Sequence, residues 1–338
     1  LFPENTMIAN TMRALIANAP DTPFQWGELP MPKAGPAEVV VRIHASGVNP
    51  LDTKIRAGAA AHARHPLPAV LGMDLAGIVD HVGPGVTEFS AGDAVWAMAG
   101  GVGGVQGSMA EFASVDARLL AKKPSRLSMR EAAALPLAVI TAWEGIVDIA
   151  NVQAKDKVLV IGGAGGVGHV ALQLARARGA ETFGVDSARA ADYMRSIGAT
   201  PIDRAAAVEV YVQAFTDGQG FDVVYDCVGA LDTAFQAVRR HGRVTSSLGW
   251  GTYSLAPLSF RSASYAGVFT LRPLLTGEGR EAHGRILSEA ATLVEAGKLY
   301  PRMDDRPFTL AQAEEAHERV RSGGANGKVV LEVCAAAS

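Results

Sequence analysis

Short apolar runs separated by glycine, proline and polar turns dominate residues 12–126. Val39-Val40-Val41-Arg42-Ile43, Ala76-Gly77-Ile78-Val79 and Ala94-Val95-Trp96-Ala97, the last preceded by the turn Ser90-Ala91-Gly92-Asp93, have the length of strands rather than helices. They predict a β-rich, barrel-like first domain. The pattern changes at Ser128-Met129-Arg130-Glu131, a capping box ahead of an apolar helical run that Pro136 kinks or breaks. From Lys157 onward strands and helices alternate: KVLVIGG, a helix over 166–178, ETFGVD, a helix over 188–197, TPID, a helix, FDVVYDCVG, a helix, then HGRVTSSLG. Such alternation builds right-handed βαβ crossovers and hence a parallel sheet covered on both faces. The second domain is therefore read as doubly wound α/β. Helices over 281–297 and 310–322 and a strand over 328–333 follow, giving expected segments of 1–127, 128–270 and 271–338.

Composition agrees with two globular domains: 338 residues, 49% hydrophobic and 19% charged. A formal charge of −3, from 31 basic and 34 acidic residues, offers no electrostatic footprint for nucleic acid or an anionic membrane. The most apolar stretch, 132–150, is interrupted by Pro136, Glu144 and Asp148, so no membrane span is expected. No secretory pattern precedes the first strand, and Leu1 to Thr11 read as a loose arm. The two cysteines, Cys227 and Cys334, cannot build a disulfide framework or a four-thiolate zinc site, and point to a reducing, cytoplasmic setting.

The strongest local chemistry is the turn after KVLVI. Gly163, Gly165 and Gly168, with Ala164, Gly166 and Val167 between them, form GxGxxG: a chain turn, a close approach for pyrophosphate, and a helix-to-strand contact. The following helix presents free N–H groups and its positive dipole end to phosphate. Asp186, at the end of the next strand, stands at about the distance (~20 residues) at which a carboxylate meets the adenosine ribose. A turn that merely packs is the rival reading, but the strand before it, the helix after it and this acid favour a dinucleotide. Asp186 leans toward NADH because a carboxylate repels a 2′-phosphate. Ser187, Arg189 and Arg195 would instead suit NADPH if Asp186 pointed away.

Several further segments, in order, carry a family resemblance: GVNPLDTKIRAG (47–58), PAVLGMDLAGIVDHVGPGV (68–86), GSMAEF (107–112), LPLAVITAW (135–143), the glycine turn, DVVYDCVG (222–229) and GKVVLEV (327–333). Together they resemble the medium-chain dehydrogenase/reductase superfamily, most closely its zinc-independent quinone oxidoreductase branch, which includes zeta-crystallin. The resemblance implies a GroES-like catalytic domain, begun by the N-terminal part and completed by the C-terminal segment, around an inserted Rossmann domain. It further implies an active site in the cleft between them and a homodimer. Zinc alcohol dehydrogenases of the superfamily have a Cys ahead of the segment reading Ala45-Ser46-Gly47-Val48-Asn49, and Gly-His-Glu where this chain has Gly72-Met73-Asp74. Neither Ser46 nor Met73 suits zinc, and no cysteine precedes Cys227, so no metal is expected.

The resemblance also nominates working residues. Asn49 would orient the acceptor carbonyl, or else serve as the turn residue before Pro50; Asp52 would hold its loop; Lys54 is either a cleft donor or a surface charge. Thr141 would lie near the nicotinamide, or satisfy its own helix backbone. Cys227, Val228 and Gly229, and the loop of Ser246, Ser247, Leu248, Gly249 and Trp250, fall at strand ends where dinucleotides lie, the loop offering backbone contacts to the carboxamide. The Cys227 thiol itself reads as a small buried side chain. Asn326 and Lys328 flank Gly327 where the chain returns toward the cofactor, and His62 and His65 occupy a cleft-covering loop. The expected reaction is hydride transfer from NAD(P)H to a small-molecule quinone or α,β-unsaturated carbonyl. Rivals are an aldehyde or alcohol reductase, an enoyl-thioester reductase, for which residues 57–71 lack the family's catalytic tyrosine, and a nucleotide-binding protein without turnover.

Overall fold

The structure is a computed structural model that describes residues 11–334, so the arm expected over the first ten residues lies outside it. Two compact units form: of the described residues, 11–136, 271–285 and 304–334 make the first, and 137–270 with 286–303 make the second.

The first unit is built on a strand longer than its VVVRI signal, Glu38–Val48, whose side chains are buried nearly throughout and whose backbone is paired along both edges. Asp74–Val82 and Phe112–Asp116 pair with it antiparallel, and Ala94–Met98 and Ala121–Lys122 extend the sheet. Along the edge opposite Asp74–Val82, which it shares with Phe112–Asp116, lies Val329–Glu332, antiparallel in the register Val329 with Val48 and Leu331 with Ser46, followed by Phe308–Thr309. Trp96, Met98, Leu75 and Ile43 fill the core. Thr11–Ala17, Gln25–Pro30 and Ala69–Val70 form a separate small sheet.

The second unit has six parallel strands in the order Thr200–Asp203, Glu181–Asp186, Lys157–Ile161, Phe221–Asp226, Val238–Ser246, Ser264–Gly267. This is the Rossmann strand order, and the chain reverses direction between Lys157–Ile161 and Phe221–Asp226, where a crevice opens beyond the strand ends. Leu159, Phe183, Phe221, Val224 and Phe235 pack its core, with Phe183 and Phe221 edge to face at 5.2 Å. The sixth strand, Ser264–Gly267, has no counterpart in the sequence expectations: it is short, largely exposed and without alternation.

Ser128 caps Met129–Ala133 as its box predicts, its hydroxyl accepting from the Glu131 N–H at 3.2 Å while the Glu131 carboxylate accepts from the Ser128 N–H at 2.9 Å. Pro136 breaks the run and opens a new helix, Pro136–Trp143. That helix widens into a π-helix over Glu144–Ile149. The cause is Tyr225: its buried hydroxyl donates to the Thr141 carbonyl at 2.9 Å, and its ring fills the space beside Gly145. A side chain inserted into the hydrogen-bond ladder in this way forces the wider turn.

Candidate active site

In the second unit the chain turns at Gly162 (φ +82°), one residue before the glycine expected to turn it. The helix begins at Gly168 rather than 166, and a Cβ on Gly168 would lie 2.0 Å from the Gly162 carbonyl oxygen, so only glycine permits this approach. Ala164, Gly165, Gly166 and Val167 form the rest of the turn, with Gly165 and Gly166 exposed. Asp186 points into it: one carboxylate oxygen accepts from the Ala164 N–H at 2.9 Å, the other from the Ser187 N–H at 2.7 Å. Arg189 is exposed on the following turn, and Arg195 pairs with Asp192 at 2.8 Å.

The two strand ends beside the turn are organised by Asp226, which sequence reasoning missed. Fully buried, its carboxylate accepts from the N–H groups of Val228, Gly229 and Ala230 at 3.0–3.2 Å and from the Ser246 hydroxyl at 2.8 Å. The Ser247 N–H donates to the Asp226 carbonyl, and the Leu248 N–H to the Ser246 hydroxyl. The Ser247 and Leu248 N–H groups, expected to face a carboxamide, are thus satisfied internally. An acid at a strand end ahead of C-V-G was the available signal. Burial pushes the Cys227 thiol well up, keeping it protonated. The Thr141 hydroxyl donates to Leu137 of its own helix at 2.7 Å and lies 3.4 Å from the Thr270 hydroxyl.

The first unit holds a buried polar cluster. Asn49 caps the helix Pro50–Arg56, its N–H donating to Asp52 at 2.8 Å. Its side-chain NH₂ donates to Asp74 at 2.9 Å, and Lys328 Nζ donates to its Oδ1. Ser46 and Ser108 share a hydrogen bond of 2.6 Å, and Ser108 donates to the Asp74 carbonyl. All six residues are buried. Burial raises Asp52 to about 7 against the pull of the Asn49 N–H, while Asp74 adds to the rise. Burial also lowers Lys328, opposed by Asp74 and Asp52. Asp74 and the serines were not anticipated; their partners lie far off in sequence.

Lys54, expected as either a cleft donor or a surface charge, lies on the exposed side of the helix, and Lys328, expected beside the cofactor, supplies the ammonium at Asn49. Asn326 is exposed, its N–H held by Asp304 at 2.8 Å. His65 directs Nε2 at the Val70 carbonyl, 3.3 Å away, and burial lowers its pKa. With Arg64, Pro20 and Leu67 it lines a depression of about 540 Å³ that neither Asn49, Asp52, Asp74 nor Lys328 borders.

The donor set does not suit zinc. Met73 offers a buried thioether, Ser46 is hydrogen-bonded to Ser108, and the two carboxylates already have a resident ammonium. Among the described residues no group of three or more His, Cys, Asp or Glu is placed to hold a metal. The glycine turn with Asp186, by contrast, fits a dinucleotide.

Comparison with known proteins follows these features. The family described as alcohol dehydrogenase GroES-like domain matches residues 35–125, and that described as zinc-binding dehydrogenase matches 197–331. The 2-methylene-furan-3-one reductase of Solanum lycopersicum is 34% identical over 309 residues, covering 87% of this chain and 71% of that protein. The chloroplastic NADPH-dependent alkenal/one oxidoreductase of Arabidopsis thaliana is 31% identical over 313 residues, covering 89% and 73%. The crystal structure of an alcohol dehydrogenase superfamily protein from Novosphingobium aromaticivorans superposes with a TM-score of 0.94 at 52% identity, covering 96% of this chain and all of that one. The chain belongs to the medium-chain dehydrogenase/reductase superfamily, in its quinone oxidoreductase-like branch, and is an oxidoreductase of that family.

Proposed function

We propose that this protein reduces a small quinone or α,β-unsaturated carbonyl with a nicotinamide cofactor and without a metal. The observation that carries the reading is the buried Asn49–Lys328–Asp74 arrangement: a fixed ammonium and an oriented amide in a segment where zinc relatives place metal ligands. Bound NAD(P)H supplies the hydride from C4 of its nicotinamide. Lys328 and Asp74 fix both ends of the Asn49 amide, and its remaining N–H donates to the acceptor oxygen as negative charge grows there. Asp52 holds the Asn49 backbone and so the helix that presents it. Conjugated acceptors spread the developing charge, so one oriented donor backed by an ammonium replaces a Lewis acid.

NADH is the preferred cofactor in this reading. The Asp186 carboxylate is anchored by two backbone N–H groups and keeps lone pairs for ribose hydroxyls, and a 2′-phosphate would meet it as a like charge. A second copy of the chain is the proposed partner, pairing along the edge strand Ser264–Gly267, around which Phe260, Tyr265 and Phe269 are exposed. No helix among the described residues is long and apolar enough to cross a membrane, and the unpaired Cys227 and Cys334 suit a reducing compartment such as the cytoplasm.

The test is oxidation of NADH and NADPH against 1,4-quinones, enones, enoyl thioesters and aldehydes, before and after treatment with a chelator. Chelator-insensitive turnover of quinones or enones is expected. Turnover confined to aldehydes, or lost with the chelator, overturns the proposal.

A further inference from the structure

The glycine turn is braced from behind by a segment more than a hundred residues away. Gln173, on the helix that leaves the turn, donates to the Tyr300 carbonyl and accepts from the Tyr300 N–H, both at 3.1 Å. Two residues on, the Arg302 N–H donates to His169 Nε2 at 3.1 Å. A ring nitrogen that accepts carries no proton, so the hydrogen of neutral His169 sits on Nδ1, where it donates to the Gly165 carbonyl at 2.9 Å. His169 is fully buried, and two backbone groups fix its tautomer. Arg302 Nη1 then donates to the Ala164 carbonyl at 2.9 Å, while its guanidinium carbon lies over the Tyr193 ring, 4.4 Å from the centroid. Two successive carbonyls of the turn are therefore clamped from one side.

A trans peptide is planar, with its N–H opposite its C=O. Holding the Gly165 carbonyl against His169 therefore aims the Gly166 N–H the other way, toward the exposed side of the turn. Holding the Ala164 carbonyl against Arg302 fixes the preceding peptide, whose Gly165 N–H closes on the Gly162 carbonyl at 3.0 Å. On the reading that this turn holds a dinucleotide, we infer that Arg302 and His169 are positioning residues for its pyrophosphate: His169 sets the direction of the Gly166 N–H that would meet it, and Arg302 holds the preceding peptide in place. The Arg302 charge, fixed at the turn by Ala164 and Tyr193, adds attraction for the same anion. This assigns to the short run Tyr300-Pro301-Arg302 a part in cofactor affinity that no motif in it announces.

The experiment is direct titration with NADH and with ADP, which has a pyrophosphate but no nicotinamide, without any acceptor. R302A is expected to raise both dissociation constants about tenfold, and R302K, which keeps a charged donor for the Ala164 carbonyl, to recover most of that loss. H169L is expected to weaken both ligands similarly. H169Q, whose amide both donates and accepts, is expected to restore them. Because the clamp acts on binding, the KM for NADH is expected to rise in step with the dissociation constants. Folded R302A and H169L with unchanged dissociation constants overturn the inference, as does a loss confined to turnover. Should either truncation fail to fold, R302Q carries the test: it keeps a donor for the Ala164 carbonyl but removes the charge, so both dissociation constants raised about threefold or more support the inference, and smaller changes overturn it. Wild-type protein that binds neither NADH nor ADP overturns the dinucleotide reading itself, whereas an inactive acceptor panel leaves these titrations untouched.

Discussion

Lys328 and Asn49, 279 positions apart in the sequence, meet inside the first unit, where the lysine ammonium donates to the asparagine side-chain carbonyl. On the proposed function, that contact selects which N–H of the Asn49 amide is left for an acceptor. N49A removes the donor and leaves Lys328 and Asp74 without their shared partner. Its kcat/KM is expected to fall by about a hundredfold or more, the scale of losing an oriented donor to a developing oxyanion. The NADH dissociation constant stays unchanged, and steady-state kinetics beside NADH titration separate the two.

Asp52 gives the cluster an unusual pH response. Its folded pKa is raised from 3.8 to about 7, so between those values the folded state holds a proton the unfolded chain has released. Stability from this group is present at low pH and is lost as pH rises toward 7, at up to about 1.4 kcal/mol per unit. D52N, which keeps an acceptor for the Asn49 N–H, is expected to stabilise the protein more at pH 8 than at pH 5. Denaturant midpoints of both proteins across that range measure it.

His317 works in the opposite sense. Buried and edge to face with Phe24 at 5.0 Å, it has its pKa lowered from 6.5 to about 3 by burial and by the nearby Arg56. The fold holds it neutral, so its contribution is complete above pH 6.5 and is lost as pH falls toward 3. H317F is expected to lessen the acid sensitivity of the thermal midpoint between pH 6.5 and 4.5. His283, lowered to about 4 by burial, leaves a residual slope.

Asp186 sets the cofactor prediction. D186S removes the charge that the proposed function sets against the ribose, and the ratio of kcat/KM for NADH to that for NADPH is expected to drop by about tenfold or more, some 1.4 kcal/mol. An unchanged ratio removes Asp186 from the specificity argument.

Y225F tests the widened helix. Without the hydroxyl, the Thr141 carbonyl loses its donor in a buried setting, at a cost of about 1–3 kcal/mol. Urea unfolding with an unchanged m value reads it out.

What was legible in the chain was local. The glycine turn and Asp186 form a motif whose spacing states its purpose, and Asn49 stands in a compact segment with its own capping acid. Asp74 and Lys328 are different: each is an ordinary charged residue until the sheet pairs Gly47 with Asp74 and Val48 with Val329. Periodicity does not record such pairings. Lys54, nearer to Asn49 in sequence, was the natural cation to nominate, yet helical geometry turns it outward. The strand Ser264–Gly267 escaped because an edge strand with one unpaired side needs neither alternation nor length. The π-helix escaped because its cause, Tyr225, sits on another strand.

The strand Val329–Glu332 has a consequence for synthesis on the ribosome. Glu38–Val48 is translated early, but its partner emerges only after the whole second unit has been made. At roughly 5–20 residues per second the apolar margin of the nascent first unit waits about 15–60 s for its neighbour. Throughout that interval Asn49 has no Lys328 beside it. The growing chain thus carries an open sheet edge and an incomplete polar cluster until the late strand docks, and a single pairing event completes both.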